Sequence, residues 1–263
     1  MARVNPCEEP FVRLRNLKKV YRSQGQEFLA VSDLTMDVRQ GELVSLVGPS
    51  GCGKTTVLKI LAGLHQPDGG TVELGNAETP FDPGRDIGRV FQQALLLKWR
   101  TILDHVLLPA EIIGLPMKAA RERARDLLKL VGLAGHEKKY PQQLSGGMQQ
   151  RAAIARALIH DPKLILMDEP FGALDALTRE QMNLEMLRIW RESGKTIIFV
   201  THSIQEAVFL ATHCAVLTAG PARMAEYLAI ELPFPRTLEI KTTEEFGAYA
   251  RRIYGSLGLA PGS

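Results

Sequence analysis

A glycine-rich segment near the N-terminal end has the residue types and the spacing that bind phosphate. Its glycines allow consecutive backbone N–H groups to turn inward around phosphate oxygens at the start of a helix. In this pattern the lysine reaches the β- and γ-phosphates of a nucleotide, and the hydroxyl after it binds Mg²⁺. We expect the cysteine in this segment to have only a packing role. The alternative is a redox switch, because the N-terminus of a helix can activate a thiol. The segment consists of Gly48, Pro49, Ser50, Gly51, Cys52, Gly53, Lys54 and Thr55.

A second chemical signal is an apolar stretch that ends in two adjacent carboxylates. Residues Leu164–Met167 are typical of a buried strand, and Asp168 and Glu169 follow at once. Carboxylates at the end of a buried strand lose solvation energy unless a cation lies nearby. Asp168 is therefore predicted to hold Mg²⁺, commonly through water. Glu169 is aimed differently, and we expect it to act on the attacking water as a general base.

Another loop of small residues opens a helix in the middle of the chain. Ser145, Gly146 and Gly147 offer free N–H groups and a hydroxyl, which suit a phosphate. Taken alone, a plain helix cap explains them at least as well. One ATP needs only one phosphate loop, so a second one requires an explanation that these residues do not supply.

The elements around these motifs predict a largely parallel sheet, because strands alternate with helices. A helical block, with helical periodicity from about Leu95 to Leu158, interrupts the alternation. The segment after Thr218 is rich in Pro and Gly and is too short for a second large domain. Strands are predicted at Phe11–Leu17, Phe28–Val38, Leu43–Val47, Thr71–Leu74, Gly88–Phe91, Leu164–Met167, Thr196–Val200 and Ala215–Leu217, and helices at Thr55–Leu64, Ala176–Trp190 and Ile204–Leu210.

The composition is that of an ordinary globular protein and excludes some classes of function. Lys and Arg exceed Asp and Glu by 32 to 29, a net charge of +3, and no long basic run occurs. Nucleic acid is therefore not an expected partner. No apolar run reaches the roughly 18–20 residues that span a bilayer, and the longest candidate, Ala207–Thr218, contains His213. The absence of such a run predicts a soluble chain. The 3 scattered cysteines show neither the spacing of a metal site nor a disulfide framework, which fits a reducing compartment.

Several motifs, taken in order, resemble those of the ABC ATPases. The stretch Ser145–Gln150 is similar to the signature motif of that family. Gln92 resembles the Q-loop glutamine, Asp175 the D-loop aspartate and His202 the switch histidine. Tyr21 lies where the family stacks an aromatic ring on adenine. The resemblance extends over roughly residues 11–220.

The resemblance implies the architecture of one ABC ATP-binding domain over residues 1–263. It is a P-loop NTPase (RecA-like) α/β core with an antiparallel β subdomain and an inserted α-helical subdomain. The helical subdomain would occupy about 93–160, and a short C-terminal tail about 219–263.

The resemblance also explains the second phosphate loop, through a head-to-tail dimer with a second copy of the chain. Two ATP molecules would lie at the interface, each between the phosphate loop of one subunit and the signature loop of the other. His202 would stabilise charge on the γ-phosphate, and Gln92 would contact Mg²⁺ or the attacking water. ATP in cis would contact Tyr21, the phosphate loop and Thr56, and ATP in trans would contact Ser145, Gly146, Gly147 and Asp175.

The finer resemblance is to the nitrate/sulfonate/taurine branch of importer ATPases. It is carried by Asp168–Asp175, Glu206–Leu210 and the tail Leu217–Pro221, although Ser203 replaces an Asp common in the branch. The branch implies an ATPase that powers uptake of a small, anionic solute through separate transmembrane permease subunits. An extracytoplasmic solute-binding protein would be an indirect partner, and the chain would be peripheral at the cytoplasmic face of the cell membrane. The alternative is a soluble ABC ATPase without a transport role.

Trp99 has two interpretations that the sequence leaves open. It lies just past Gln92, where the family docks a permease. A tryptophan that packs in the core is the other interpretation, since large aromatic side chains mostly serve burial.

The expected role of Glu169 predicts the behaviour of Glu169→Gln. The variant should bind ATP and hydrolyse it about 10²–10⁴-fold more slowly, because that is what a general base contributes. Phosphate release and nucleotide binding measured on the same preparation check both halves of the expectation. Turnover at the wild-type rate would remove Glu169 from this role.

Overall fold

A computed structural model describes residues 9–23, 25–75 and 81–259 of the chain. Strands and helices alternate through most of that length, as the sequence predicts. The strands are β1 (Val12–Ser23), β2 (Gln26–Val38), β3 (Leu43–Val47), β4 (Gly69–Leu74), β5 (Ile87–Val90), β6 (Leu164–Asp168), β7 (Thr196–Thr201), β8 (His213–Leu217) and β9 (Met224–Ala229). The helices are α1 (Lys54–Leu61), α2 (Pro83–Asp86), α3 (Ile102–Ile112), α4 (Met117–Leu130), α5 (Gly146–Leu158), α6 (Ala176–Ser193), α7 (Ile204–Leu210) and α8 (Glu244–Ser256), with short 3₁₀ turns at Pro141–Gln143 and Leu238–Thr242.

The central sheet has six strands in the order β5-β6-β7-β3-β8-β9. All neighbours are parallel except β8 and β9. Val47 at the end of β3 lies opposite Thr201 of β7, and Asp168 at the end of β6 lies opposite Val200. The carboxyl ends of β6, β7 and β3 are therefore side by side at one edge, where open α/β sheets bind their ligands.

The central sheet is buried because apolar clusters cover both of its faces. One cluster joins it to α1 and to a three-stranded antiparallel sheet of order β2-β1-β4, through residues such as Leu14, Leu46 and Leu61. The other joins it to the helices, through residues such as Ile154 and Phe199. Strands buried on both faces read as continuous apolar runs, which is why β3, β6 and β7 are visible in the sequence.

Three helices, α3, α4 and α5, lie between β5 and β6 in the sequence. They pack on one another around Val106, Leu128 and Ile154. The expected helical pattern from Leu95 is wrong at its start. Leu95 has φ 48°, a left-handed conformation that interrupts a helix. The helix α3 begins seven residues later, where the Thr101 hydroxyl caps it by accepting a hydrogen bond from the Asp104 N–H at 3.2 Å.

The C-terminal segment contains elements that the sequence analysis missed. Strand β9 extends the central sheet, and Phe246, Ala250 and Ile253 bury one face of α8 against the core. Their spacing of four and three residues is the signal of an amphipathic helix and was available in the sequence. The Pro and Gly residues around it obscured that signal.

The apolar stretch Ala207–Thr218 forms the end of α7 and all of β8 rather than one long element. Within the ranges that the structure describes, every helix is too short or too polar to cross a membrane.

The close packing of β5 against α5 predicts a strong effect of Gly88→Ala. A Cβ at Gly88 would collide with the carbonyl oxygen of Ala157 and lie 3.1 Å from Pro162 Cγ. Overpacking of this kind costs about 1–3 kcal/mol, so the Tm should fall by roughly 2–10 °C. Gly255→Ala in α8 is the matched control, because a Cβ there meets nothing within 4 Å. A thermal melt in which both variants match the wild type would contradict the packing.

Candidate active site

The glycine-rich loop joins β3 to α1 and approaches neighbouring backbone too closely for any side chain. A Cβ at Gly48 would lie 2.7 Å from the Leu217 carbonyl oxygen, and one at Gly53 would lie 2.7 Å from that of Ala30. Gly51 and Gly53 also have positive φ values of 75° and 115°. Glycine is required for both reasons, and the result is a loop wrapped around the N-terminus of α1, as a phosphate nest requires.

Lys54 lies beneath this loop and is only 5% exposed. Its Nζ donates hydrogen bonds to the carbonyl oxygens of Gly48 at 2.7 Å and Pro49 at 2.9 Å. The Cys52 thiol is buried and lies 4.0 Å from the same nitrogen. The lysine thus places a positive charge at the centre of the loop, where an anion benefits from it most.

Thr55, in the first turn of α1, meets Asp168 at the end of β6. The Thr55 hydroxyl donates a hydrogen bond to Asp168 Oδ1 at 3.2 Å. Burial raises the pKa of Asp168 above its ordinary value; the Thr55 hydrogen bond opposes that rise, and the neighbouring charge of Glu169 adds to it. The two side chains present oxygen atoms only, the ligand type that Mg²⁺ prefers.

Glu169 and His202 form a second pair at the same sheet edge. Glu169 has φ 45°, a conformation that non-glycine residues rarely adopt. Its N–H donates to the Val200 carbonyl oxygen at 3.0 Å, and its Oε2 lies 3.2 Å from His202 Nδ1. A carboxylate held in a strained conformation beside a half-exposed histidine is a feature of functional sites.

Gln92 reaches the same place from the loop after β5. A Cβ built on Gly172 would lie 3.3 Å from Gln92 Nε2 and 3.7 Å from Glu169 Oε2. The amide and the carboxylate therefore face the same glycine, although they are 77 positions apart in the sequence, from 92 to 169.

Tyr21 lies at the end of β1, beside the helix that follows the phosphate loop. Its hydroxyl is 3.3 Å from Thr56 Oγ1, and its ring meets the His65 ring edge-on at 5.7 Å between centroids. The position next to α1 brings Tyr21 into the neighbourhood of the phosphate loop.

The second loop of small residues, Ser145–Gly147, lies against Leu174 and Thr178, on either side of Asp175 in the sequence. Ser145 caps α5 by accepting a hydrogen bond from the Met148 N–H at 3.3 Å, so the plain-cap interpretation describes one of its contacts. A Cβ at Gly147 would lie 2.8 Å from Thr178 Cγ2. Asp175 caps α6 by accepting a hydrogen bond from the Thr178 N–H at 3.0 Å. Hydrogen bonding from the Thr178 side chain, and then from this N–H, lowers the pKa of the Asp175 carboxyl.

Arg179 belongs to this region and was missed as a site residue. Its guanidinium donates to the carbonyl oxygens of Phe171 at 3.2 Å and Leu174 at 2.8 Å, which holds the loop between Glu169 and Asp175 in shape. A cation in the first turn of α6 is unfavourable for the helix dipole. A positive charge at an unfavourable helix position was therefore the signal in the sequence that Arg179 makes contacts outside its own helix.

Trp99 is 74% exposed. The interpretation of Trp99 as a core residue is therefore wrong.

Taken together, the strand, the glycine-rich loop closed by a lysine and the second strand with its Asp-Glu end define a P-loop nucleotide-binding fold. A family model described as ABC transporter matches residues 31–172, more than half of the chain. An uncharacterised ABC transporter ATP-binding protein of Methanocaldococcus jannaschii is 46% identical over 246 residues, which are 94% of this chain and 91% of that protein. The taurine import ATP-binding protein of Escherichia coli K12 is 45% identical over 201 residues, 76% of this chain and 78% of that protein.

A solved structure gives the same result. The dimeric, post-hydrolysis state of an ATP-binding cassette bound to ADP and Pi is 33% identical, with a TM-score of 0.71, and the match covers 84% of this chain and 100% of that one. The chain belongs to the ABC transporter ATP-binding family; it binds ATP and is an ATPase.

The partly buried charge of Asp168 predicts that Asp168→Asn stabilises the nucleotide-free protein. A pKa raised by folding means that the ionised carboxylate is less stable in the fold than in the unfolded chain, so at pH 7 it lowers the free energy of unfolding. Asn keeps the size and removes the charge. We expect the Tm in EDTA to rise by about 1–4 °C, and the further rise produced by Mg-ATP to shrink.

Asp161→Asn is the matched control. Its carboxylate accepts hydrogen bonds from Lys195 and Arg123, both at 2.8 Å, and the one from Lys195 is the main cause of its lowered pKa. Asn tolerates the positive φ of 57° at this position. The Tm of the Asp161→Asn protein should therefore fall at pH 7. A lower Tm for nucleotide-free Asp168→Asn than for the wild type would contradict the expectation.

Proposed function

We propose that this chain is the ATP-hydrolysing subunit of an importer for a small, anionic solute of the nitrate, sulfonate or taurine kind. A separate transmembrane permease would carry the solute, and an extracytoplasmic solute-binding protein would deliver it. The chain would then lie at the cytoplasmic face of the cell membrane as a peripheral subunit. The similarity to a protein named for taurine import supports the class of solute.

The observation that carries the permease partnership is an apolar groove beside Gln92. The groove has a volume of about 530 Å³ and lies between β5, its following loop and α3. Phe91, Leu95 and Ile112 line it and are exposed. Trp99 is exposed on the same loop. Exposed apolar surface of this kind marks a binding site for another protein.

A short helix of a permease is the occupant that suits this groove best. An amphipathic helix lays its apolar face into an apolar groove. The wall residue Phe91 directly precedes Gln92 in the chain. A segment seated there would contact the residue adjacent to Gln92, whose amide faces Glu169, which would provide a short route between permease and active site.

In the proposed reaction ATP is bound by the phosphate loop, and water attacks its γ-phosphorus. The bond from that phosphorus to the β–γ bridging oxygen breaks, and ADP and phosphate are the products. The Lys54 ammonium and the loop N–H groups neutralise phosphate charge. Glu169 accepts a proton from the attacking water. An ionised Glu169 can only accept a hydrogen bond, so the His202 Nδ1 that faces it carries a proton. To stabilise charge on the γ-phosphate, Nε2 must carry a proton as well and donate a hydrogen bond to a phosphate oxygen. Tyr21 stacks on adenine in this proposal.

Mg²⁺ fits the oxygen atoms that Thr55, Asp168 and Gln92 offer. The hydroxyl and the carboxylate are 3.2 Å apart, and the raised pKa of Asp168 reflects a buried charge that a cation would compensate. When bound, Mg²⁺ supplies neutralisation of charge on the β- and γ-phosphates.

A second copy of the chain would complete each site. Ser145, Gly146 and Asp175 are exposed, and the buried Gly147 lets the start of α5 approach α6 at Thr178. Leu177, next to Asp175, is 79% exposed. An apolar side chain beside free N–H groups of a helix start suits an interface that closes on a nucleotide.

Affinity purification tests this proposal. Tagged Glu169→Gln protein is recovered with Mg-ATP from detergent-solubilised native membranes, and co-purifying proteins are identified. We expect a polytopic permease, which can then be reconstituted with the wild-type chain and tested for uptake of taurine, other sulfonates and nitrate. Ribosomes, DNA-repair proteins or no membrane partner would favour the soluble ABC ATPase instead.

Trp99→Ala and Leu177→Ala, each in the Glu169→Gln background, separate the two proposed interfaces. Trp99→Ala should lose the permease and keep ATP-dependent self-association, measured by size-exclusion chromatography. Leu177→Ala should weaken self-association and keep the permease. The docking surface is wrong if Trp99→Ala recovers as much permease as its parent.

A further inference from the structure

A buried polar network lies directly beside His202, in the two-residue connection between β7 and α7. Thr201, the last residue of β7, donates a hydrogen bond through Oγ1 to Glu206 Oε2 and accepts one at the same oxygen from the Ser203 N–H at 3.0 Å. The Glu206 N–H donates to Ser203 Oγ at 3.3 Å, which caps α7. His202 lies between two residues that this network holds.

Glu206 is an unusual residue for this position if stability is the only requirement. It is 6% exposed, and its Oε1 has no hydrogen-bond partner among the residues that the structure describes. Burial raises the pKa of its carboxyl, and the Thr201 hydrogen bond, followed by nearby positive charges, opposes the rise. A buried, half-satisfied carboxyl costs stability relative to an apolar side chain. The acid therefore calls for an explanation other than packing.

The same strand holds the other member of the pair. Glu169 is tied to β7 through the hydrogen bond from its N–H to the Val200 carbonyl oxygen. His202 follows two residues later, and its Nδ1 lies 3.2 Å from Glu169 Oε2. The relative position of the two side chains therefore depends on how the backbone leaves β7 at Thr201.

We propose that Thr201 and Glu206 are positioning residues, which hold the backbone at 201–203 so that His202 meets Glu169. The inference rests on the proposed role of His202 in ATP hydrolysis and adds to it the residues that orient the imidazole. The Thr201 hydroxyl is the centre of the network, because it satisfies the Ser203 N–H and the Glu206 carboxyl at once. Glu206 serves by accepting a hydrogen bond, which needs an oxygen and no charge.

Paired variants at position 201 test the proposal in the full chain. Thr201→Val keeps the shape and removes the hydroxyl, whereas Thr201→Ser keeps the hydroxyl. We expect Thr201→Val to lower kcat for ATP hydrolysis about 10–100-fold, because small misplacements of a reacting group cost that much. The KM for ATP should stay within about threefold of wild type, because the contacts of the phosphate loop are untouched. Thr201→Ser and Glu206→Gln should keep most of the wild-type kcat.

His202→Ala separates positioning from general stability. If Thr201 acts through His202, then Thr201→Val should have little further effect on kcat in a His202→Ala protein, since effects routed through one group are not additive. A second readout needs no turnover. In protein labelled with ¹⁵N-histidine, the His202 signals, assigned by their absence in His202→Ala, should show protonated Nδ1 in the wild type and Thr201→Ser. They should show mixed tautomers in Thr201→Val.

The outcomes distinguish this inference from the proposed function. An unchanged kcat in His202→Ala would overturn the role of His202 and the positioning with it. A large loss in His202→Ala together with an unchanged kcat and unchanged histidine spectrum in Thr201→Val would leave the role of His202 intact and overturn the positioning. An equal loss from Thr201→Val with and without His202 would reduce Thr201 to a structural residue.

Discussion

The parallel pairing of β6, β7 and β3 is the constraint on which the rest of the molecule depends. Each strand ends at the same edge of the sheet, and each is followed directly by a group of the candidate site: Glu169, His202 and Gly48. A slip of one residue in this register would turn each side chain to the opposite face. Both faces of these strands pack against buried clusters, so such a slip would disrupt close packing on both sides, and the core thereby fixes the geometry of the site.

The proposed dimer gives a second use to groups that already cap helices within one chain. Ser145 and Asp175 stand at helix starts on the surface, next to the exposed Leu177. The charge of a triphosphate is large, and one loop of N–H groups with one lysine neutralises only part of it. In the proposed dimer a second copy would supply further donors, and nucleotide binding and association would then be coupled by mass action.

The C-terminal segment is part of the core and contributes to the same design. The Arg236 guanidinium is buried and donates to the carbonyl oxygens of Val208, Phe209 and Ala211 at the end of α7. Burial lowers its pKa to about 10, and its guanidinium lies 4.0 Å from the Phe234 ring centroid. The helix that follows the candidate histidine is thus closed at both ends, by the Ser203 cap at its start and by a charged side chain from the tail at its end.

The sequence by itself determined the local chemistry of this protein. The phosphate loop Gly48–Thr55, the strand that ends in Asp168 and Glu169, and the alternation of strands and helices all depend on neighbours within a few residues, so the pattern along the chain contains them. The pattern along the chain also identifies Ser145–Gly147 as a loop of small residues at a helix start. It does not identify the groups that this loop contacts.

Only the tertiary structure decided which distant groups meet. It placed Gln92 and Glu169 against Gly172, Arg236 under α7 and Glu206 against Thr201. Burial of a polar side chain depends on elements far away in the sequence, and an isolated Arg or Glu in the chain resembles any solvated residue. Local patterns therefore predict the elements and the motifs, whereas the partners of buried charges follow from the packing alone.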